Sequence, residues 1–318
     1  MNSRLTAPVS FKTHSAVPAL PAGGVIGLIA PAGPAEIDLQ HATQWMHARG
    51  YQLRVFAGVW EKDGYLAGSD AVRLRDFHDA FADDSIDAIF CLRGGYGCSR
   101  FLESIDFDLL RRHPKPFVGY SDITALHLAI TRYAGFVTFH GGMLNADLLG
   151  NKQQPTESSL FRMLSGQQPA LLEHPAAYPL TTLAPGSACG RLLGGNLSMI
   201  CAAMGTAFEL DEQGIILFIE DVNEPLYRVD RLLTHLRLAG KLGQLRGVLV
   251  GDFAGVDVQA LERLLKQELG PLNIPVLAGW RSGHCDPNIT LPMGAHVRLD
   301  ADNQQLVLKQ DVVVTAGS

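Results

Sequence analysis

Short apolar runs separated by stretches of helical spacing constrain this 318-residue chain more than any other feature. Residues 24–30 read GVIGLIA and stop at Pro31, residues 86–92 read IDAIFCL, and residues 116–120 read PFVGY. Each has strand length and little polar alternation, the pattern of a strand buried on both faces. Residues 52–57 give a further strand. Helical spacing runs over 36–49, ending at Gly50, and over 70–83, where Ser69 or Asp70 is placed to cap the start. Another helix over 122–134 follows the 116–120 run directly. Strands spaced by helices of this length define βαβ units and a mainly parallel sheet, so the expected fold class is α/β.

The texture changes over 165–188, where SGQQPALLEHPAAYPLTTLAPGSA is rich in proline and small residues and lacks periodicity. It reads as a linker. The length suits two domains. The expected division is an N-terminal α/β domain over 1–165, a linker over 166–188 and a smaller C-terminal α/β domain over 189–318. In the latter, Gly194-Gly195-Asn196-Leu197 opens an apolar helix, followed by a strand at 214–219. A helix near 226–239, a strand at 246–251 and a helix at 256–268 come next. The tail is β-rich, with VRL and QLVLKQ flanking the turn Asp300-Ala301-Asp302-Asn303.

Hydrophobic residues make up 47% and charged residues 18%, the composition of a globular enzyme-like chain. A net charge of -6 speaks against nucleic acid as a partner, because phosphate neutralisation needs a basic surface. The five cysteines (Cys91, Cys98, Cys189, Cys201, Cys285) are odd in number and scattered, which fits a reducing compartment. The opening MNSRLTAPVSFKTHSAVPAL lacks an apolar stretch of signal-peptide length, and no segment has the apolar length to cross a bilayer. The expectation is a cytoplasmic protein without a membrane partner.

Four places carry candidate chemistry. Ser121, in Gly119-Tyr120-Ser121-Asp122, stands at a strand-to-helix junction, where a sharp turn exposes a hydroxyl and helix N–H groups face a developing oxyanion. Serine also caps helices at such positions, and the usual hydrolase elbow has glycine where Ile123 stands here. Arg93-Gly94-Gly95-Tyr96-Gly97 follows an apolar strand and either brings backbone amides close to a ligand or makes a tight turn. Its spacing matches no nucleotide-binding motif, and no cofactor is expected. Glu220 ends a strand, a place where acidic residues are usually solvated. His284-Cys285-Asp286 invites a metal, but adjacent residues rarely aim at one ion, and no metal is expected.

Together these phrases resemble the LD-carboxypeptidases, also called muramoyltetrapeptide carboxypeptidases. The matching stretches are Ala30-Pro31-Ala32, Cys91 to Gly97, Gly119 to Asp122, Gly194 to Leu197, Glu220 to Arg228 and Ser282-Gly283-His284, in the family's order and over nearly the whole chain. The resemblance implies a serine peptidase whose triad is split between two domains. Ser121 is the nucleophile, His284 the base and Glu220 the orienting carboxylate, while Glu224 stays a surface residue. The N–H of Asp122, with one from Gly94 or Gly95, would bind the oxyanion, and Arg93 would meet a terminal carboxylate. The implied reaction cleaves an L-diamino acid–D-alanine bond in cytoplasmic murein tetrapeptides, within peptidoglycan recycling, by a homodimer.

Three other readings compete. A microcin-immunity peptidase of the same fold would need an aromatic platform, and the linker offers only Tyr178. A non-catalytic two-domain binding protein would not need Ser121, Glu220 and His284. A cysteine-dependent amidotransferase is disfavoured by Cys91 within a strand and Cys98 without a histidine signature.

Overall fold

A computed structural model describes residues 14–315, so most of the N-terminal stretch read for a signal peptide lies outside the described residues. The first half of the chain contains β1 (Val17–Pro18), β2 (Val25–Ile29), α1 (Leu39–His47), β3 (Gln52–Val55), α2 (Asp70–Ala82), β4 (Ala88–Cys91), α3 (Phe107–Arg112), β5 (Phe117–Gly119), α4 (Thr124–Tyr133), β6 (Thr138–His140) and α5 (Thr156–Leu164). The second half contains β7 (Thr181–Ala184), β8 (Ser187–Asn196), α6 (Leu197–Ala202), β9 (Ile216–Val222), α7 (Leu226–Leu238), β10 (Gly247–Ala254), α8 (Val258–Leu269), β11 (Val276–Ala278), β12 (Leu291–Met293), β13 (His296–Asp300), β14 (Gln305–Leu308) and β15 (Val313–Val314).

The apolar runs form a six-stranded sheet in the order β12-β6-β5-β4-β2-β3. Its strands are parallel except β12, which joins β6 antiparallel. A second, seven-stranded sheet has the order β14-β13-β8-β9-β10-β11-β7, with β8 to β11 parallel and antiparallel strands at both ends. The fold is thus a two-domain α/β architecture with a β-rich tail. Ser69 caps α2 by accepting the Val72 N–H, and Asp70 is the first helical residue.

Several elements depart from the local reading. Residues 181–184, inside the proline-rich stretch, form the edge strand β7 against β11. An edge strand tolerates the neighbouring prolines because one side needs no ladder. Gly194 and Gly195 close β8, and the helix begins only at Leu197, capped by Asn196. Glu220 lies inside β9 rather than at its end, opposite Asn196 of β8.

The two sheets are not independently packed. One hydrophobic core contains Phe77, Phe90 and Phe117 from the first sheet region together with Phe218, Leu249 and Val297 from the second. A separate core under α6 to α8 gathers Leu197, Val229, Leu233 and Leu265. The chain then returns from β11 to β12, so residues 279–290 cross from one sheet to the other.

Gly194 fixes how closely β8 and β9 approach. Its φ is 133°, and a Cβ there would meet the Phe218 carbonyl oxygen at 2.0 Å. Gly194→Ala is therefore expected to destabilise the fold by about 3 kcal/mol or more. Denaturant unfolding against the parent measures it, and a loss below about 1 kcal/mol would show that the sheet relaxes freely.

Candidate active site

Ser121 follows β5 in a 3-10 turn (Ser121–Ile123) that leads into α4. It is not the N-cap of that turn or of α4; those positions are held by Tyr120 and Ile123. Its φ is 66°, the left-handed region, which a residue with a Cβ occupies only when the surroundings impose it. Those surroundings include Gly94: a Cβ there would come within 2.7 Å of Ser121 Cβ and 2.9 Å of its Oγ. The glycine loop after β4 therefore lies directly against the serine. Gly95 packs instead toward Gly33.

The loop and the turn are tied together by buried polar groups. Asp122 Oδ2 accepts the Cys98 N–H at 2.9 Å. Burial pushes the Asp122 carboxyl up, against the pull of that N–H and of Arg73. Arg73, itself buried, donates to the carbonyls of Pro31 at 2.9 Å and Gly97 at 2.7 Å and pairs with Asp70. Arg93 is exposed, donates to the Pro34 carbonyl at 3.2 Å and has no carboxylate partner among the described residues. It borders a cleft of about 550 Å³ that is also lined by Trp60, Lys62 and Asn145.

On the other side of the seam, Glu220 is fully buried and its Oε2 lies 2.7 Å from His284 Nδ1. The His284 backbone N–H approaches the same oxygen at 3.3 Å. Burial alone raises a carboxyl, but here the two imidazoles, His140 and His284, outweigh it and hold Glu220 at about 2. An ionised carboxylate only accepts hydrogen bonds, so Nδ1 carries a proton, and in the neutral imidazole the lone pair falls on Nε2. That is the tautomer a general base needs.

His284 sits on the crossing segment, which is pinned along its length. Gly283 N–H donates to Asn288 Oδ1 at 3.0 Å, Asn288 N–H to Thr156 Oγ1 at 2.9 Å, and Lys152 Nζ to the Cys285 carbonyl at 2.9 Å. The Tyr120 ring, next to Ser121 in sequence, meets the His284 imidazole edge-to-face with centroids 4.9 Å apart. Tyr120 thus links two groups, since it precedes Ser121, which lies against Gly94, and packs on His284, which pairs with Glu220.

The residues beside His284 point elsewhere. Cys285 Sγ donates to the Pro287 carbonyl and burial pushes its thiol up to about 12, while Asp286 accepts from the Gln153 N–H at 2.7 Å. Burial also raises Cys91 and Cys98 well above the usual thiol range, the opposite of what a nucleophilic cysteine requires. Among the described residues, Glu224 pairs with the exposed Arg228 at 3.4 Å. Sequence reasoning passed over Arg73, the Asp122 side chain and His140. The glycine pair after the short 137–140 apolar run, Phe139-His140-Gly141-Gly142, was the available signal for His140.

The molecule is a two-domain α/β protein that carries a strained serine at a strand-to-helix turn and, against the neighbouring Tyr120 ring, a half-buried histidine paired with a buried carboxylate. Family models described as the LD-carboxypeptidase N-terminal and C-terminal domains match residues 26–141 and 189–299. The chain belongs to the LD-carboxypeptidase family. It is 40% identical over 301 residues to a probable murein peptide carboxypeptidase of Bacillus subtilis (strain 168), covering 92% of this chain and 94% of that one. Among solved structures it is similar to the muramoyltetrapeptide carboxypeptidase of Oxalobacter formigenes, with TM-score 0.76, 29% identity and coverage of 89% of this chain and 97% of that chain. The microcin C7 self-immunity protein MccF shares the fold at TM-score 0.83 and 23% identity, over 94% of this chain and 100% of that chain.

Two outcomes follow from the site's physics. Ser121→Gly should be more stable than Ser121→Ala by about 1 kcal/mol, since glycine adopts positive φ without strain; equal unfolding midpoints would show that the turn relaxes in both. The second concerns acid. Glu220 has a folded pKa of about 2 against a reference of 4.5, so it favours the folded state above pH 4.5. That contribution is lost as pH falls through the window from 4.5 to 2. Thermal melts should show the parent losing stability over this window faster than Glu220→Gln, and parallel curves would contradict a depressed carboxyl.

Proposed function

We propose that the protein is a serine carboxypeptidase that removes the terminal D-alanine from murein tetrapeptides. In this reading Ser121 comes from an N-terminal domain, residues 1–165, and Glu220 and His284 come from residues 189–318. The observation that carries it is the Glu220–His284 pair at 2.7 Å, packed on the ring of Tyr120, whose chain neighbour Ser121 is held at φ 66°. Family membership supports the peptidase class, and the murein-directed names of its relatives support the substrate class.

Ser121 Oγ attacks the scissile carbonyl while Nε2 of His284 takes its proton. Glu220 stays ionised and stabilises the imidazolium. The oxyanion is received by the Asp122 N–H and by the N–H of Gly94, the loop glycine that lies against Ser121. His284 then protonates the leaving amine of D-alanine, and water hydrolyses the acyl-enzyme by the same route in reverse. Arg93, free of any carboxylate partner among the described residues, receives the substrate's terminal carboxylate. The same reading carries a homodimer acting in the cytoplasm in peptidoglycan recycling. Tyr178, the aromatic residue that a microcin-type base platform would use, is covered by the Arg281 guanidinium at 4.6 Å, which favours the murein reading.

Inverting the terminal α-carbon while its carboxylate is held exchanges methyl and hydrogen and displaces the scissile carbonyl from Ser121. A misplacement of about 1 Å costs on the order of 100-fold in rate. The tetrapeptide ending in D-alanine should be cleaved, its L-alanine epimer about 100-fold more slowly, and the amidated form poorly. Arg93→Ala should narrow the gap between free and amidated ends. Chromatography of released alanine from this matched set is the test; equal cleavage of both epimers would leave a serine amidase of another target.

A further inference from the structure

Two buried histidines lie side by side under the active site, with ring centroids 6.2 Å apart, and their surroundings differ. His127 is satisfied at both nitrogens. Nε2 faces the Gly119 carbonyl at 2.8 Å, so it carries the proton, and Nδ1 accepts from Thr138 Oγ1 at 2.8 Å. Burial holds this ring's pKa at about 3, so it is a neutral packing residue. His140, at the end of β6 opposite Gly119, is equally buried, yet neither of its nitrogens has a hydrogen-bond partner among the described residues. Such an orphan is uncommon in a folded interior and calls for a role.

The nearest charged oxygen is also an orphan. Glu220 uses Oε2 for His284, while Oε1 is buried and without a hydrogen-bond partner. His140 Nε2 stands 3.9 Å from that oxygen. Tyr120 and Phe218 flank the His140 ring and limit where it can turn. Catalytic hydrogen bonds are often long in the empty enzyme and tighten during reaction.

We propose that His140 is a positioning residue for Glu220: its Nε2–H holds Oε1 while Oε2 holds His284, so the carboxylate plane is fixed from both sides. This rests on the triad reading above. It adds that the orienting carboxylate has its own support, donated by the sheet that bears the nucleophile. Closing the gap of about 1 Å between 3.9 Å and a normal hydrogen bond converts two orphans into one charge-assisted bond. When His284 becomes an imidazolium, a carboxylate anchored at both oxygens does not swing away from Nδ1.

The experiment compares His140→Phe, which keeps a ring but removes the donor, with His140→Gln, which retains an N–H, and with Glu220→Gln. On D-alanine-terminated tetrapeptide, His140→Phe should lower kcat about 10- to 100-fold, the range spanned by a charge-assisted hydrogen bond, with KM within about twofold. His140→Gln should recover much of that loss. The low-field proton resonance of the His284 Nδ1–H should move in His140→Phe and return toward its position in His140→Gln. His140→Met removes the same donor with a flexible side chain and serves if His140→Phe does not fold. A folded His140→Phe or His140→Met with kcat within twofold of the parent and an unmoved resonance, while Glu220→Gln is inactive, overturns this proposal alone. An active Glu220→Gln overturns the triad reading and this proposal with it.

Discussion

Glu220 is a carboxylate with no access to water, held inside a strand whose neighbours on both sides are paired. Moving such a group out of solvent costs several kcal/mol even after relaxation, so Glu220 is tolerable in the middle of β9 only with its partner in place. That partner, His284, comes from a segment that leaves one sheet at β11 and enters the other at β12. The strand pairing of Leu291 with His140 therefore does more than extend a sheet, because it sets where the crossing loop begins its return and hence where the imidazole lies. The core shared by Phe90, Phe117, Phe218 and Leu249 keeps the two sheets from shifting relative to each other. Without it, the 2.7 Å contact and the strained serine would each relax into something cheaper.

Much of this architecture is legible in local pattern, and the reasons for the exceptions are physical. Strands buried on both faces announce themselves as apolar runs, which is why β2, β4 and β5 stand out and the hairpin around Asp300 to Asn303 does too. β6 and β12 are as short as β5 but include Thr138 and His140 or Pro292 where β5 is unbroken by such residues, so the neighbouring ladder rather than the local pattern defines them. The position of Glu220 inside β9 is a matter of register with Asn196, which no local propensity records. Among the site residues, Ser121 is visible as a serine at a junction, but its reading as a nucleophile rather than a cap enters through the family resemblance. His127 and His140 are both histidines in apolar surroundings; the glycine pair after His140 sets it apart in sequence, but only their partners show that His127 is satisfied and His140 is not.

The two proposed oxyanion donors must be held apart and aimed. One belongs to the loop after β4 and the other to the turn after β5, so their spacing is not set by a single stretch of chain. Two buried side chains set it instead. Asp122 reaches back from the turn to the Cys98 N–H at the loop's far end, and Arg73 reaches from α2 to the carbonyls of Pro31 and Gly97. Burial of either ionisable group is costly, and Asp122 accepts from backbone while Arg73 donates to two backbone carbonyls and to Asp70. That expense is coherent if the loop must not move while a negative charge develops. Donors fixed during folding need no reorganisation at the moment of reaction, which is where electrostatic stabilisation gains its strength. In the proposed mechanism Asp122 then has two separate duties: its backbone N–H would receive the oxyanion, while its carboxylate fastens the glycine loop proposed to supply the second N–H.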